Sequence, residues 1–477
     1  MSGSRALARD VGATVGRHLV SVVVALAMTP VLVRTLGVAR LGFWSLLGTS
    51  AFLVGLGDLG LSAATLRAAA GSDAHAAKRA ARLGALVTSL VSIPLTCGCG
   101  LWLVRVSRDL PVADWLDARR AVVIALVASI ANAAYQPARA YAQGQGRLGR
   151  LATARTVGAL AQLVVTLGLL SLGARLTAVA LGYVASVMFE GGLCIATTMD
   201  GVAAGGWPTR TERRALFTVG RSAMLTNVAV ALCVRADVVI LQRVTTLDVI
   251  GAYSVASRVI DQGFTLVKQV SSALVPRLGA RSQNRGAAVR LGTMLIGVLA
   301  SAPLAALAVA GAPFIVLWAG RAIDLPILPI ALAWLAVASI VSSTEEVACS
   351  ALALGGEYRS VTIAFGAGTA TNILLSVAGA WAVGPGAVAA ATAAGNLVMA
   401  VIVWRATCRE LGWSARAVVD SIAPAGIAAC AAGACAAIAA RASLHPAGVA
   451  ILATLTGLAA ASIAVRGAWR AGELQAS

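Results

Sequence analysis

Arg258, Asp261 and Lys268 stand close together in a stretch of chain that is otherwise apolar. At about 100° per residue they share one face of an α-helix, and Arg258 and Asp261 have the i,i+3 spacing of an ion pair. A guanidinium and an ammonium on one stripe can hold an oxyanion through charge-assisted hydrogen bonds, the guanidinium bidentately, with Asp261 orienting it. The same residues also fit an internal ion pair plus a snorkelling lysine, which binds nothing. Asp237, Glu190, Arg17 and the adjacent pair Glu345 and Glu346 lie in similar surroundings. Desolvated carboxylates at Glu345, Glu346 or Glu190 suit a coupling proton or, with backbone oxygens, Na⁺; pairing with a neighbouring cation is the other reading of each. Neighbours on a helix diverge by about 100°, so only one of Glu345 and Glu346 can face a cavity squarely.

The elements that position these groups follow from composition. The 477 residues are 59% hydrophobic and 12% charged, where soluble domains run at roughly 45–50% and 25%. Apolar stretches of about twenty residues, each long enough to cross hydrocarbon as helix, separate the charge clusters. This is an all-α integral membrane protein, and a water-soluble enzyme is excluded. Lys and Arg number 38 against 19 Asp and Glu, a net charge of +19. The basic residues sit in short connections, a pattern that reports membrane orientation and not nucleic-acid binding.

About fourteen transmembrane helices are expected, with twelve the alternative, near 11–33, 41–68, 80–104, 119–142, 152–172, 174–199, 215–243, 249–278, 288–311, 328–353, 359–381, 386–404, 415–438 and 446–466. The run after Arg5, Arg9 and Arg17 is read as the first of them, not as a signal peptide, because no small-residue cleavage site precedes the next span. The clusters Lys78/Arg79/Arg82, Arg139/Arg147/Arg150/Arg155, Arg210/Arg213/Arg214 and Arg277/Arg281/Arg285/Arg290 fall at alternate connections. Both termini are thereby expected in the cytoplasm, with the chain in a bacterial-type inner (plasma) membrane. A charge at bilayer depth costs roughly 2.5–3.5 kcal/mol on insertion scales, so each mid-span charge must face protein, water or a ligand. In Gly57-Asp58-Leu59-Gly60 the small residues allow close helix approach or a local bend.

The eight cysteines have neither a secreted-type nor a zinc-type spacing and read as packing residues. No GxxxxGK[ST] loop is present, so ATP is not the direct energy source in this chain. Self-comparison gives an internal repeat. Arg40-Leu41-Gly42-Phe43-Trp44-Ser45-Leu46 aligns with Val249-Ile250-Gly251-Ala252-Tyr253-Ser254-Val255 at an offset of 209, and Val22–Leu26 with Val228–Leu232 at 206. Gln143–Arg147 matches Leu354–Tyr358 at about 210. Six spans separate equivalent helices, and an even number preserves direction, so the two six-helix lobes are related by a pseudo-two-fold along the membrane normal. The divisions are an N-lobe over 1–205, a C-lobe over 206–410 and a C-terminal helix pair with a short cytoplasmic tail over 411–477.

Three stretches carry a resemblance to a known family. They are Thr29–Gly37 running into Leu41–Ser45, Gly57–Leu61 and Arg67; Arg235–Leu241 with Val249–Arg258 and Pro276; and Gly355–Tyr358 with Val383–Ala387. Together they resemble the polysaccharide or Wzx-type flippases of the multidrug/oligosaccharidyl-lipid/polysaccharide (MOP) exporter superfamily. The resemblance implies lobes that rock by alternating access and move a polyprenyl-diphosphate-linked oligosaccharide, an O-antigen, capsule or exopolysaccharide unit, to the outer leaflet. It implies a cationic cleft in which Arg258 matches a cavity-facing arginine of the lipid II flippase branch and Arg17 a first-helix cation. The chain lacks that branch's dense set of cavity arginines.

On this reading Arg258, Lys268 and Arg17 bind the pyrophosphate, Asp261 and Asp237 orient or pair, and Glu345, Glu346 and Glu190 are the ion-coupling candidates. Asn132, Gln136, Asn227, Gln262, Asn372 and Asn396 can hydrogen-bond sugar hydroxyls or bond neighbouring helices. No cofactor, metal or nucleic acid is expected; H⁺ or Na⁺ is the coupling ion. The partners are the lipid-linked glycan, membrane lipids and a polysaccharide polymerase. A multidrug exporter of the same superfamily is the first alternative, although exporters of cationic drugs favour acidic, aromatic-lined cavities. A membrane glycosyltransferase or polymerase is the alternative of another class. It would need carboxylates or histidines presented on sizeable external loops, and His18, His75 and His445 are the only histidines. The charge alternation makes one prediction. Reporters fused after residue 110 and after residue 146 will report opposite membrane faces, the second of them cytoplasmic.

Overall fold

A computed structural model describes residues 22–71, 73–198, 206–274, 285–442 and 444–470, without the side chains of 74, 148, 197, 198, 222, 226, 234, 266–274, 464 and 466–470. Fifteen α-helices are described: α1 Val22–Leu36, α2 Val38–Gly55, α3 Leu61–Ala69, α4 Ala74–Val106, α5 Trp115–Gly144, α6 Leu148–Ser171, α7 Leu176–Thr198, α8 Arg210–Val244, α9 Leu247–Leu274, α10 Arg285–Ala319, α11 Ile327–Gly355, α12 Tyr358–Ala382, α13 Gly386–Leu411, α14 Ala415–Arg441 and α15 Pro446–Arg470. Among the described residues there is no strand, and twelve helices are long and apolar enough to cross a membrane. Helix occurs in each of the fourteen expected stretches, but the expected continuous helix over 41–68 is broken into α2 and α3. Large apolar side chains such as Leu101, Val164, Leu374 and Ile463 stay exposed, as surfaces that face lipid do.

The chain divides into two compact units, Met1–Val239 with Thr246–Gly251, and Ile240–Thr245 with Ala252–Ser477. In the first, α5 packs against α2, α3, α4 and α7, and α6 pairs with α7. Leu216 of α8 joins Leu61, Ala64, Ala80 and Leu83 in a buried cluster that ties α8 to α3 and α4. Ion pairs brace this unit. Asp114, only 1% exposed, accepts from Arg40 at 2.7 Å and Arg175 at 2.6 Å, and Asp117 accepts from the backbone N–H of Leu176 at 2.7 Å, so the connection before α5 is pinned to the starts of α2 and α7. At the start of α4, Arg79 pairs with Glu212 of α8, which also accepts from the Thr209 N–H. Asp73 caps α4, accepting from the N–H groups of His75 and Ala76 at 2.9 Å. These bonds to its charged form hold the Asp73 carboxyl below the usual carboxylate range.

In the second unit α10 packs against α11, α14 and α15, and α13 against α11 and α12. Small residues set the spacing. A Cβ on Gly395 would meet Asn372 Cβ at 2.9 Å, and one on Gly368 would meet the Gly395 carbonyl oxygen at 2.8 Å, so α12 and α13 touch backbone to backbone. The C-terminal pair is seamed to α10 by alanine: Ala302, Ala305, Ala428, Ala432 and Ala461 form one buried cluster and Ala306, Ala310, Ala436, Ala439, Val449 and Ala453 another. Arg285 of α10 bonds Glu410 at 2.6 Å and the Ala351 carbonyl, joining the ends of α10, α11 and α13.

Asp114 is the most heavily committed of these carboxylates. Asp114→Asn leaves two guanidiniums facing a neutral amide, and removing one partner of a buried pair costs about 3–5 kcal/mol. With Arg175 half-exposed, the loss expected for Asp114→Asn in detergent unfolding is about 3 kcal/mol, and for Arg175→Gln it stays below about 1 kcal/mol.

Candidate functional site: a polar cavity in the first unit

The break between α2 and α3 builds the site. After Gly55 the chain makes a single 3-10 turn, Leu56–Asp58, and then places Leu59 and Gly60 in the left-handed region at φ 49° and 75°. Asp58 makes this break possible. Its carboxylate, 6% exposed, accepts from the Ser62 N–H at 3.1 Å, the Ser62 hydroxyl at 2.7 Å and the Thr88 hydroxyl at 3.4 Å, supplying the first turn of α3 with an acceptor. Ser92 of α4 donates to the Val54 carbonyl at 3.1 Å, at the end of α2. Irregular backbone at membrane depth persists only where protein covers it or it lines a cavity, and here both hold. Gly57-Asp58-Leu59-Gly60, where the small residues allowed close helix approach or a local bend, shows both: the break itself, and Gly57 and Gly60 packed on Ser92 and Gly220.

A cavity of about 400 Å³ opens against it. The α2–α3 break contributes Gly55, Leu56, Leu59 and Gly60, α2 adds Trp44 and Phe52, α5 adds Asn132 and Gln136, α7 adds Tyr183, and α8 adds Asn227 and Arg235. Arg235 lies with its guanidinium carbon 5.3 Å from the centre of the Phe52 ring, and its Nε–H is buried without a hydrogen-bond partner. Among the described residues Arg235 has no ion pair; the cavity's one carboxylate, Asp58, is spent on Ser62 and Thr88. The cavity therefore presents one uncompensated cation, amide donors and acceptors, and aromatic faces. That set suits a polar, hydroxyl-rich ligand carrying negative charge.

The site residues expected from sequence are placed as follows. Asn132, Gln136 and Asn227 line the cavity together. Glu190 stands behind it: it pairs with Arg139 at 3.0 Å and Arg155 at 3.6 Å, and Arg139 donates to Asn132 Oδ1 at 2.7 Å. Asp237 is buried in the part of α8 that belongs to the first unit. Arg258, Asp261, Glu345 and Glu346 belong to the second unit. Arg258 is half-buried, and Asp261 is exposed and accepts from the Ser257 hydroxyl at 3.4 Å. Glu345 is 3% exposed with Oε2 unbonded, and Glu346 is half-buried. Arg17 lies outside the described residues and the Lys268 side chain outside the described side chains. Sequence reasoning did not single out Arg235, Phe52 and Trp44 as site residues. The signal for Arg235 is the one that drew attention to Asp237, a charge far inside a predicted span. Among the described residues no cluster of His, Cys, Asp or Glu could hold a metal ion.

Helix order, the broken second span and a polar cavity at the break define a class of protein: a multi-pass membrane protein whose fold is shared with solved transporters of the MOP superfamily. The structure is similar to that of a lipid II flippase MurJ in an inward closed conformation, with a TM-score of 0.72 at 10% identity over 96% of this chain and 98% of that one. It is similar to an inward-facing MATE multidrug resistance transporter (TM-score 0.65, 15% identity, 84% and 94% covered) and to a MOP transporter from Pyrococcus furiosus (0.62, 15%, 84% and 95%). Residues 7–280 match the polysaccharide biosynthesis protein family, and the chain belongs to that family. No curated protein matches it in sequence.

If Asp58 organises the break, Asp58→Ala will cost about 1–2 kcal/mol in thermal unfolding, the range of a lost helix cap. Thr88→Ala, at the long end of the bond, will cost less, and a solvatochromic thiol probe at Ala51→Cys will report a wetter cavity only in the Asp58 variant.

Proposed function

We propose that this protein is a flippase that carries a polyprenyl-diphosphate-linked oligosaccharide from the cytoplasmic to the outer leaflet by alternating access. The observation that supports this most is the lining of the first unit's cavity. Aromatic faces and amides are the groups that hold sugar rings, and Arg235, without an ion pair among the described residues, supplies a counter-charge for a phosphate next to the sugar. Membership of the polysaccharide biosynthesis family points to a glycan cargo. In this reading Arg258 and Lys268 are the candidate cations of the second unit, and Glu345 is the leading candidate to carry a coupling H⁺ or Na⁺. The protein passes the glycan on without catalysing a reaction, and a polysaccharide polymerase takes it at the outer face of the inner membrane. Export of cationic drugs fits the lining less well, because a free cation in the cavity repels them.

The test is reconstitution in liposomes with a fluorescent polyprenyl-diphosphate oligosaccharide, following its exposure to an impermeant quencher. Wild type should move the lipid, Arg235→Gln and Asn227→Ala should each slow it at least tenfold, and Arg235→Lys should retain part of the rate. Equal rates in all four proteins would exclude the cavity as the glycan site. Movement of a cationic dye with no glycan lipid moved would favour the exporter.

A further inference from the structure

Asn132, Gln136 and Arg139 stand at i, i+4 and i+7 on α5, so they share one face of the helix, with Arg139 two turns beyond Asn132. Side chains lean toward a helix's N-terminus, so the long arm of Arg139 runs back along this face, and its Nη2–H donates to Asn132 Oδ1 at 2.7 Å. That bond decides which way round the amide stands. A guanidinium carries only donors, so the group that meets it is the oxygen, and Nδ2 is the part of Asn132 left for the cavity. The Tyr183 hydroxyl, also on the cavity wall, stands beside this amide and occupies at most one of its two N–H groups.

Arg139 in turn is fixed from α6 and α7. Glu190 Oε1 lies 3.0 Å from Arg139 and 3.6 Å from the exposed Arg155. Backbone packing sets this carboxylate in place. A Cβ on Gly191 would overlap the Tyr135 ring of α5, and one on Gly158 of α6 would meet Glu190 Cβ at 3.1 Å, so both neighbouring helices approach α7 closely beside it. Glu190 also balances the charge of Arg139. What reaches the cavity at Asn132 is therefore a neutral donor of fixed direction, in contrast to the charged donor at Arg235. All of these residues belong to the first unit.

We propose that Arg139 is a positioning residue for cargo selection: it holds Asn132 as a fixed N–H donor that reads an uncharged acceptor oxygen on the sugar, and the carbonyl of an acylamino group is the best match. A free amide turns to offer oxygen or nitrogen and so takes hydroxyls and carbonyls alike. A fixed donor favours the group that only accepts, because a hydroxyl brings a proton that this point of the wall cannot receive. The proposal rests on the cavity being the glycan site, as in the function proposed above.

The experiment compares two polyprenyl-diphosphate monosaccharides in the liposome assay, one carrying N-acetylglucosamine and the other glucose. Wild type should move the first at least fivefold faster. Arg139→Met combined with Glu190→Gln removes both charges of the pair together, which leaves neither partner's charge stranded and so spares the fold. In that double variant the preference should fall below twofold, whereas Arg139→Lys, which still donates to Asn132, should keep it. Equal rates for the two lipids in wild type, or a double variant that slows both by the same factor, would overturn the proposal, since a purely structural ion pair does not distinguish them. A second measurement needs no cargo. The chain has five asparagines, so [15N]asparagine labelling in nanodiscs gives few side-chain amide signals, and that of Asn132 is assigned by its loss in Asn132→Ser. It should be single and sharp in wild type and in Arg139→Lys, and broadened or displaced in the double variant; an unchanged signal there would overturn the fixed donor even if the glycan is moved. Failure of wild type to move either lipid, alongside a signal that responds, would sink the glycan cargo and leave the fixed donor standing.

Discussion

Helices in a bilayer are not pushed together by water, so whatever holds them must come from contact itself. In this protein much of that contact is backbone against backbone. Gly395 and Gly368 bring α12 onto α13, Gly60 brings the α2–α3 break onto α8, and Gly42 and Gly251 bring α2 onto α9. A chain in which 59% of residues are hydrophobic and Gly alone accounts for 49 can afford such contacts at many places. Larger side chains are then left to face lipid or to fill the few gaps. The ion pairs work at the margins of this packing, where Asp114, Glu212 and Glu410 tie helix ends together.

Against that background a polar cavity requires a deliberate interruption. An unbroken helix over 41–68 would satisfy its own backbone and present only side chains, whereas the Leu56–Gly60 break brings Asp58, Leu59 and Gly60 backbone to the cavity wall. Asp58 answers the α3 amides that the break exposes, and by doing so withdraws the one carboxylate that could have neutralised Arg235. The same residue thus stabilises the bend and leaves the cavity positive. Arg139, bonded to Asn132 on one side and Glu190 on the other, extends the polar system away from the cavity toward α6 and α7.

Much of this was legible in the sequence, for reasons that differ from residue to residue. Apolar run length and charge spacing located the helices, and the small residues of Gly57-Asp58-Leu59-Gly60 allowed either a close helix approach or a bend, although the span over 41–68 was expected to be continuous. Asn132, Gln136 and Asn227 stood out as amides in apolar runs, although only the fold brings α5 and α8 to one cavity. Arg235 was passed over in favour of Asp237 two residues on, which diverges from it by about 200° on a helix and so points elsewhere. Phe52 and Trp44 look like lipid-facing residues until the break turns α2. The partners of Glu190 lie on other helices, and no periodicity in one helix can name them.

The alanine seam that binds α14 and α15 to α10 has a consequence for how this part of the chain is indexed. Alanine methyl groups set a separation between helices but offer no knobs and holes, so they record distance much better than longitudinal register. Gly457, enclosed by Ala428, Ala432 and Ala302, and Gly297, pressed on Ala425, are the notches in an otherwise smooth rail. Filling either one removes the mark by which the pair is positioned along α10, while the seam itself remains intact one turn away.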